Sequence, residues 1–376
     1  MSVRGAPPAR LEALDGLRFL AVSLVVVYHL GDVFLLHVPF VAVRVVRHAV
    51  HVMPLFFVMS GFALTYVYGE SMRASSLSPR AFWLSRAFRL WPIYLVAILL
   101  RFFDDCVLAG GVPAPNAAAV LAQALFVQNW VPSLVWYGNA PGWTVSVEAF
   151  LYLLFPWLVP WLLRSTTSRA VLVAGAAWAV GLVPAIVYCL SYPEGIPPPS
   201  GAPILAAVRF LPPLHLPSFI IGITAAKVLL ADREAGLRRP GGLISAVALA
   251  PVVFCLLGGL EHVRPSRFLR WPFPLAHDGL LAPAWGLLLV GLSHPSALAR
   301  FLSRAPLGRL GVASYGLYIL HFPLYDAFVC LVPTWTEKAF FFPLFYVMLL
   351  PLVVVSFERF EQPVRDALLR RFGEAR

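Results

Sequence analysis

The chain has 376 residues, of which 60% are hydrophobic and only 12% charged, with a mean hydropathy of +0.80. Ordinary soluble domains carry roughly 25% charged residues, so this composition excludes a soluble globular protein. The net charge of +11 does not point to nucleic acid, because the basic residues are spread between apolar runs instead of clustering on one segment.

Stretches long enough to span a bilayer, at about 20 residues each, fall near 17–36, 50–69, 91–108, 143–163, 170–190, 204–230, 241–260, 279–293, 312–333 and 339–357. The first follows Arg4 and Arg10, is too long for the apolar core of a signal peptide and lacks a small-residue cleavage site, so it reads as a first transmembrane helix. By the positive-inside rule these two arginines place the N-terminus in the cytoplasm. Arg73, Arg80, Arg86 and Arg89 then belong to the first inner connection. Later ones hold Arg164 and Arg169, Arg233 with Arg238 and Arg239, Arg300 with Arg304 and Arg309, and the tail from about residue 358. The alternation works only if the run 118–135, with Gln123, Gln128, Asn129 and Pro132, does not cross the membrane. The sequence therefore predicts an all-α integral membrane protein, with about ten transmembrane helices in a single domain over 1–376. Both termini are expected to be cytoplasmic, and 118–135 re-entrant or interfacial on the outer side. Two outer connections break the rule, one with Arg44 and Arg47 and the other with Arg264, Arg267 and Arg270. They are expected to be tolerated surface charges, the alternative being contact with an anionic acceptor.

Within this frame the ionisable residues inside apolar runs carry the functional signal, because a charge at mid-bilayer costs about 2.5–3.5 kcal/mol. Arg18 and His29 stand eleven residues apart in LRFLAVSLVVVYHL. At ~100° and ~1.5 Å per residue they share one helix face about 16 Å apart. Arg18 falls at the inner edge, where Asp15 can pair with it three residues away, and His29 lies deeper, with a pKa suited to a general base for a hydroxyl. Ser60 and Gly61 in FFVMSGFALT sit inside an apolar helix; small residues allow close helix approach, and Ser60 lacks the pattern of a nucleophile. Arg86 and Arg89 in SRAFRLWP put two guanidiniums on adjacent turns, suited to phosphate, or else simple positive-inside anchors beside Trp83 and Trp91. Glu148 in GWTVSVEAFLYLLFP is either the partner of an arginine such as Arg101 or Arg209, or the group that orients His29 or holds an acceptor. His321 in SYGLYILHFPL is either a second catalytic group or a histidine bonded to another helix. His215, between Pro213 and Pro217, reads as a structural break. Cys106, Cys189, Cys255 and Cys330 are single and without ligand spacing, so they read as small core residues and no metal is expected. Phosphate-loop and dinucleotide glycine patterns are absent from the sequence.

Taken in order, LDGLRFLAVSLVVVYH, FFVMSGFALT, SRAFRLWPIY, GWTVSVEAFLYLLFP, GVASYGLYILHFPL and FERFEQPVR resemble the acyltransferase-3 family of integral membrane O-acyltransferases. The resemblance spans nearly the whole chain. It implies transfer of an acyl group, commonly acetyl, from acyl-coenzyme A to a hydroxyl of a carbohydrate, lipid or secondary metabolite, without a bound cofactor. It further implies that Arg18 and His29 are an essential pair, that Arg86 and Arg89 serve the donor side, and that Glu148 is the acid of a motif opened by Trp143. Thr144 departs from the usual serine after that tryptophan, and Ala149 stands where many members carry a second acid. SVEAF followed by YLLFP looks more like the subgroup that includes macrolide O-acyltransferases than like polysaccharide-modifying members. With no esterase-like domain after the tenth run, any later transfer is expected to need a separate protein. The rival readings are a secondary transporter of a lipid-linked or acylated sugar, which would show inverted repeats, and a non-catalytic membrane receptor, which would not need the alignment of Arg18 with His29.

Overall fold

A computed structural model describes residues 10–104, 117–135, 137–192, 202–259 and 273–373, and all regular structure among them is helical. The longer helices are α1 (Glu12–Leu30), α2 (Met53–Arg73), α3 (Pro79–Phe103), α4 (Trp143–Arg164), α5 (Thr167–Gly181), α6 (Val183–Ser191), α7 (Ala202–Phe210), α8 (Leu216–Glu234), α9 (Gly241–Leu256), α10 (Ala282–Leu292), α11 (Ala305–Leu331) and α12 (Phe341–Ser356). Eight helical stretches among the described residues are long and apolar enough to cross a membrane. The other two expected runs form the 16-residue α9 and the 27-residue α11. Arg4, Cys106 and the three arginines between 264 and 270 lie outside the described residues. Cys189 and Cys255 are buried as expected, whereas Cys330 is exposed.

Two helix pairs form the centre, α2 with α8 and α1 with α11. Both depend on glycine at the crossing. Gly61 lies against the Phe219 backbone and Gly222 against that of Val58, so any side chain at either position would collide with main chain. Gly16 and Gly311 do the same against Leu302 and Asp15. The paired directions fit an alternating chain. Phe57 meets His215 while Tyr66 meets Arg233, so α2 and α8 run parallel. Asp15 meets Gly311 while His29 meets His321, so α1 and α11 do too. Helices α11 and α12 are antiparallel, with Phe328 on Phe341 and Arg309 on Glu358.

The 204–230 run is not one helix. Leu211 and the turn Pro212–His215 break it into α7 and α8, as the prolines around His215 lead one to expect. Residues 118–135 form no spanning helix either. A short helix, Ala117–Ala124, gives way to left-handed Phe126 (φ 61°) and single turns. Its amides are buried because they satisfy backbone at the start of α4. Gln128 Nε2 donates to the Gly142 carbonyl at 2.7 Å, and Asn129 Nδ2 donates to those of Trp143 at 2.8 Å and Phe210 at 2.9 Å. In an apolar interior such carbonyls need partners. The polar residues that made this run unfit for lipid are thus the pins that hold the N-terminus of α4 inside the protein.

Candidate active site

Two helices, α1 and α3, aim three cations at one cavity of about 150 Å³, which is lined by Arg18, Arg86, Arg89, Glu148, Tyr152 and Ser60 among others. Helix α3 starts sharply, because Ser78 Oγ accepts the Ala81 N–H at 3.1 Å and Pro79 is preset for a first turn. That start sets Arg86 and Arg89 on adjacent inward turns. Arg86 donates to the Tyr68 hydroxyl at 2.7 Å and lies over its ring at 5.0 Å. Arg18 is 3.5 Å from Asp15, which Arg10 also holds at 2.7 Å, the pairing expected from their spacing. Glu148 faces Arg18, Arg89, Arg86 and the Tyr152 hydroxyl. Glu361, in the π-helical turn Phe357–Glu361, also turns toward Arg89. Three guanidiniums against one carboxylate in the cavity wall leave it positive, and low-dielectric walls strengthen that field for a phosphate.

Glu148 is therefore an arginine partner, but not of the arginines foreseen. Arg101 pairs with Asp326, and Arg209 lies in a different cluster. Nor does Glu148 orient His29. Helix α4 begins at Trp143, already buried at the core, so five residues further on Glu148 is deep in the arginine cavity. Ser60 Oγ donates to the Tyr152 hydroxyl at 3.2 Å, which makes it a polar liner of this cavity.

His29 is oriented by His321 instead. His29 Nδ1 and His321 Nε2 are 2.9 Å apart, and His321 Nδ1 is 2.6 Å from the Tyr318 carbonyl. A carbonyl only accepts, so His321 donates from Nδ1 and, when neutral, accepts at Nε2. His29 then donates from Nδ1, and its Nε2 keeps the lone pair. The local sequence holds this chain in place. Pro323 has no N–H to give the Ile319 carbonyl four residues earlier, and Asn139 Nδ2 donates to that carbonyl at 2.8 Å. His29 borders two cavities. One, of about 490 Å³, is also lined by Asp32, Tyr325 and Asp326. The other, of about 60 Å³, is shared with Trp143, Arg209, His277 and Tyr318. Tyr318 also lines the arginine cavity, so the two sites meet at one side chain.

Trp143 packs on Phe57, Phe210, His215 and His277. His215, His277 and Asp278 bring possible ligand atoms within 4.8 Å of one another, the one such group among the described residues. Arg209 faces both His277 and Asp278, so a guanidinium already offsets the carboxylate. Sequence reading passed over His277 and Asp278, although two adjacent ionisable residues in PLAHDGLLAPAWG carry the same signal of costly depth that singled out His29.

An acyltransferase domain model of the acyltransferase-3 family matches residues 11–357. The acyltransferase MdmB of Streptomyces mycarofaciens is 29% identical over 84% of this chain and 80% of its own. A putative peptidoglycan O-acetyltransferase of Bacillus subtilis, YrhL, is 25% identical over 96% of this chain and 56% of its own. The O-acetyltransferase OatA of Staphylococcus aureus is 25% identical over 84% of this chain and 51% of its own. The chain thus spans about half the length of these last two relatives. No solved structure matches it. The matched segment contains the arginine cavity, the His29–His321 pair and the bundle that positions them, and the chain belongs to the acyltransferase-3 family of multi-pass membrane enzymes that transfer acyl groups.

Proposed function

We propose that the chain transfers an acyl group, acetyl being the expected one, from acyl-coenzyme A to a hydroxyl of a carbohydrate, glycolipid or glycosylated metabolite at the cell membrane. Both termini then lie in the cytoplasm, as the arginine distribution favours. The observation that carries this reading is the free Nε2 of His29 at a cavity that adjoins, through Tyr318, a cavity with three arginines. The arginine cavity suits the coenzyme phosphates, and the pantetheine arm has the reach to bring the thioester past Tyr318. His29 Nε2 takes the proton of the acceptor hydroxyl, whose oxygen attacks the thioester carbon. The coenzyme thiolate leaves and recovers that proton. Arg18, at the cytoplasmic end of the same helix face, ties the donor cavity to the base. No cofactor, metal or nucleic acid enters this scheme. The names of the relatives support O-acetyl transfer, and the macrolide-like segment around Glu148 favours a glycosylated metabolite as acceptor.

The test is transfer of label from radioactive acetyl-coenzyme A by purified protein in lipid nanodiscs. Wild type is expected to consume the thioester, and His29→Ala to bind the donor without consuming it. Equal consumption by both would sink the reading. Acid-stable label on wild type without acceptor, lost in His29→Ala, would mean that the acyl group passes through His29 before the acceptor takes it.

A further inference from the structure

Acyl transfer places a negative charge on the carbonyl oxygen in the transition state, and the scheme above names a base but nothing to hold that charge. The arginine cavity is committed to the donor phosphates. The other cavity at His29 has a volume of about 60 Å³. A space of this size has room for an acyl carbonyl. Two features, a guanidinium and a helix end, bring positive charge to its wall. Arg209 lines it from the end of α7, and His277 lines it beside Arg209. Trp143, also in the wall, is the first residue of the 22-residue α4, whose N-terminus has no side-chain cap, so the positive end of that helix lies at the wall too.

Arg209 is held in place at both its backbone and its side chain. His215 Nε2 donates to the Arg209 carbonyl at 3.0 Å, and the guanidinium lies over the Phe210 ring at 4.8 Å. Asp278, only 3% exposed, faces Arg209 and has one oxygen 3.3 Å from His277 Nδ1. A carboxylate so deeply buried needs a cationic neighbour, and it keeps Arg209 at this wall. Asp278 and His277 are consecutive residues at the end of the short helix Phe273–His277, so one turn of chain supplies both.

We propose that Arg209 is a catalytic residue that holds the oxyanion of the tetrahedral intermediate in the small cavity that it lines together with His29. As the acceptor oxygen bonds to the thioester carbon, the carbonyl π pair moves onto oxygen and is met by the Arg209 N–H groups. His29 Nε2 carries the acceptor proton meanwhile. When the oxyanion collapses, the carbon–sulfur bond breaks and the coenzyme thiolate takes that proton from His29. Asp278 acts through Arg209 by fixing its position.

This rests on His29 being the base, so His29→Ala is measured beside Arg209→Met in nanodiscs with acetyl-coenzyme A. Arg209→Met is expected to lower kcat by about 10²–10³-fold, the usual loss for one oxyanion donor, with the donor KM within about threefold of wild type. A kcat reduced by less than about tenfold, or a raised donor KM at unchanged kcat, overturns the proposal. An active His29→Ala overturns the reading beneath it, whereas an inactive His29→Ala with a fully active Arg209→Met removes Arg209 alone. If Arg209→Met does not fold, Arg209→Lys, which keeps the charge and loses the guanidinium fork, is read against the same limits.

Discussion

The two cavities that meet at Tyr318 are built in opposite ways. The arginine cavity draws its charges from α1, α3 and α4 and leaves a surplus of positive charge in its walls. The His29 side has an imidazole whose tautomer, when neutral, is set by a second imidazole and a backbone carbonyl. One is suited to holding an anion in any of several poses, because long guanidinium side chains can follow it. The other is suited to presenting a single lone pair in a single direction, because a hydrogen-bond chain from His29 through His321 to the Tyr318 carbonyl fixes its orientation. The proposed binding and chemistry thus fall at separate ends of one helix, α1, and substitutions should separate them in the same way.

The sharpest break is expected from His29→Ala, with kcat lower by at least about 10³-fold and donor affinity unchanged, measured by turnover and by calorimetric titration of acetyl-coenzyme A. His321→Phe keeps the volume and removes the acceptor for His29 Nδ1. It should cost about 10–10²-fold in kcat at an unchanged donor KM, and a rise in KM alone would place His321 with the binding cavity. Arg86→Ala should do the reverse, raising the donor KM about tenfold or more with kcat nearly intact, and high salt should weaken donor binding to wild type more than to the variant. The smallest effect on chemistry belongs to Asn129→Leu, which leaves the Trp143 and Phe210 carbonyls without their amide partner. It is expected to lower stability by about 2–3 kcal/mol, read as a lower thermal midpoint, while kcat per folded molecule stays close to wild type. A loss of kcat without loss of stability would mean that the 118–135 segment takes part in the chemistry.

Much of this was legible from residue order. Asp15, Arg18 and His29 are placed by the 3.6-residue period alone, and the structure keeps them on α1 as expected. Arg86 and Arg89 needed only a helix start at Ser78 and Pro79. The non-crossing run 118–135 followed from its amides, since lipid cannot satisfy them. Glu148 marks the limit. Its depth along the sequence was readable, but its partners were not, because α4 starts within the protein and not at a membrane surface. Arg101 and Arg209 were equally plausible partners by depth, and rotation of their helices sends both elsewhere.

Periodicity, apolar length and the cost of buried charge are local properties, so the sequence by itself determined the helical membrane architecture, the shared face of Arg18 and His29 and the arginine pair. Which buried polar groups meet depends on helix rotation and on crossing points such as Gly61 against Phe219 and Gly311 against Asp15. These are settled by packing between segments hundreds of residues apart. Only the tertiary structure decided that His29 answers to His321, that Glu148 answers to three arginines, and that Arg209 and His277, with Asp278 behind them, come to the same small space as His29.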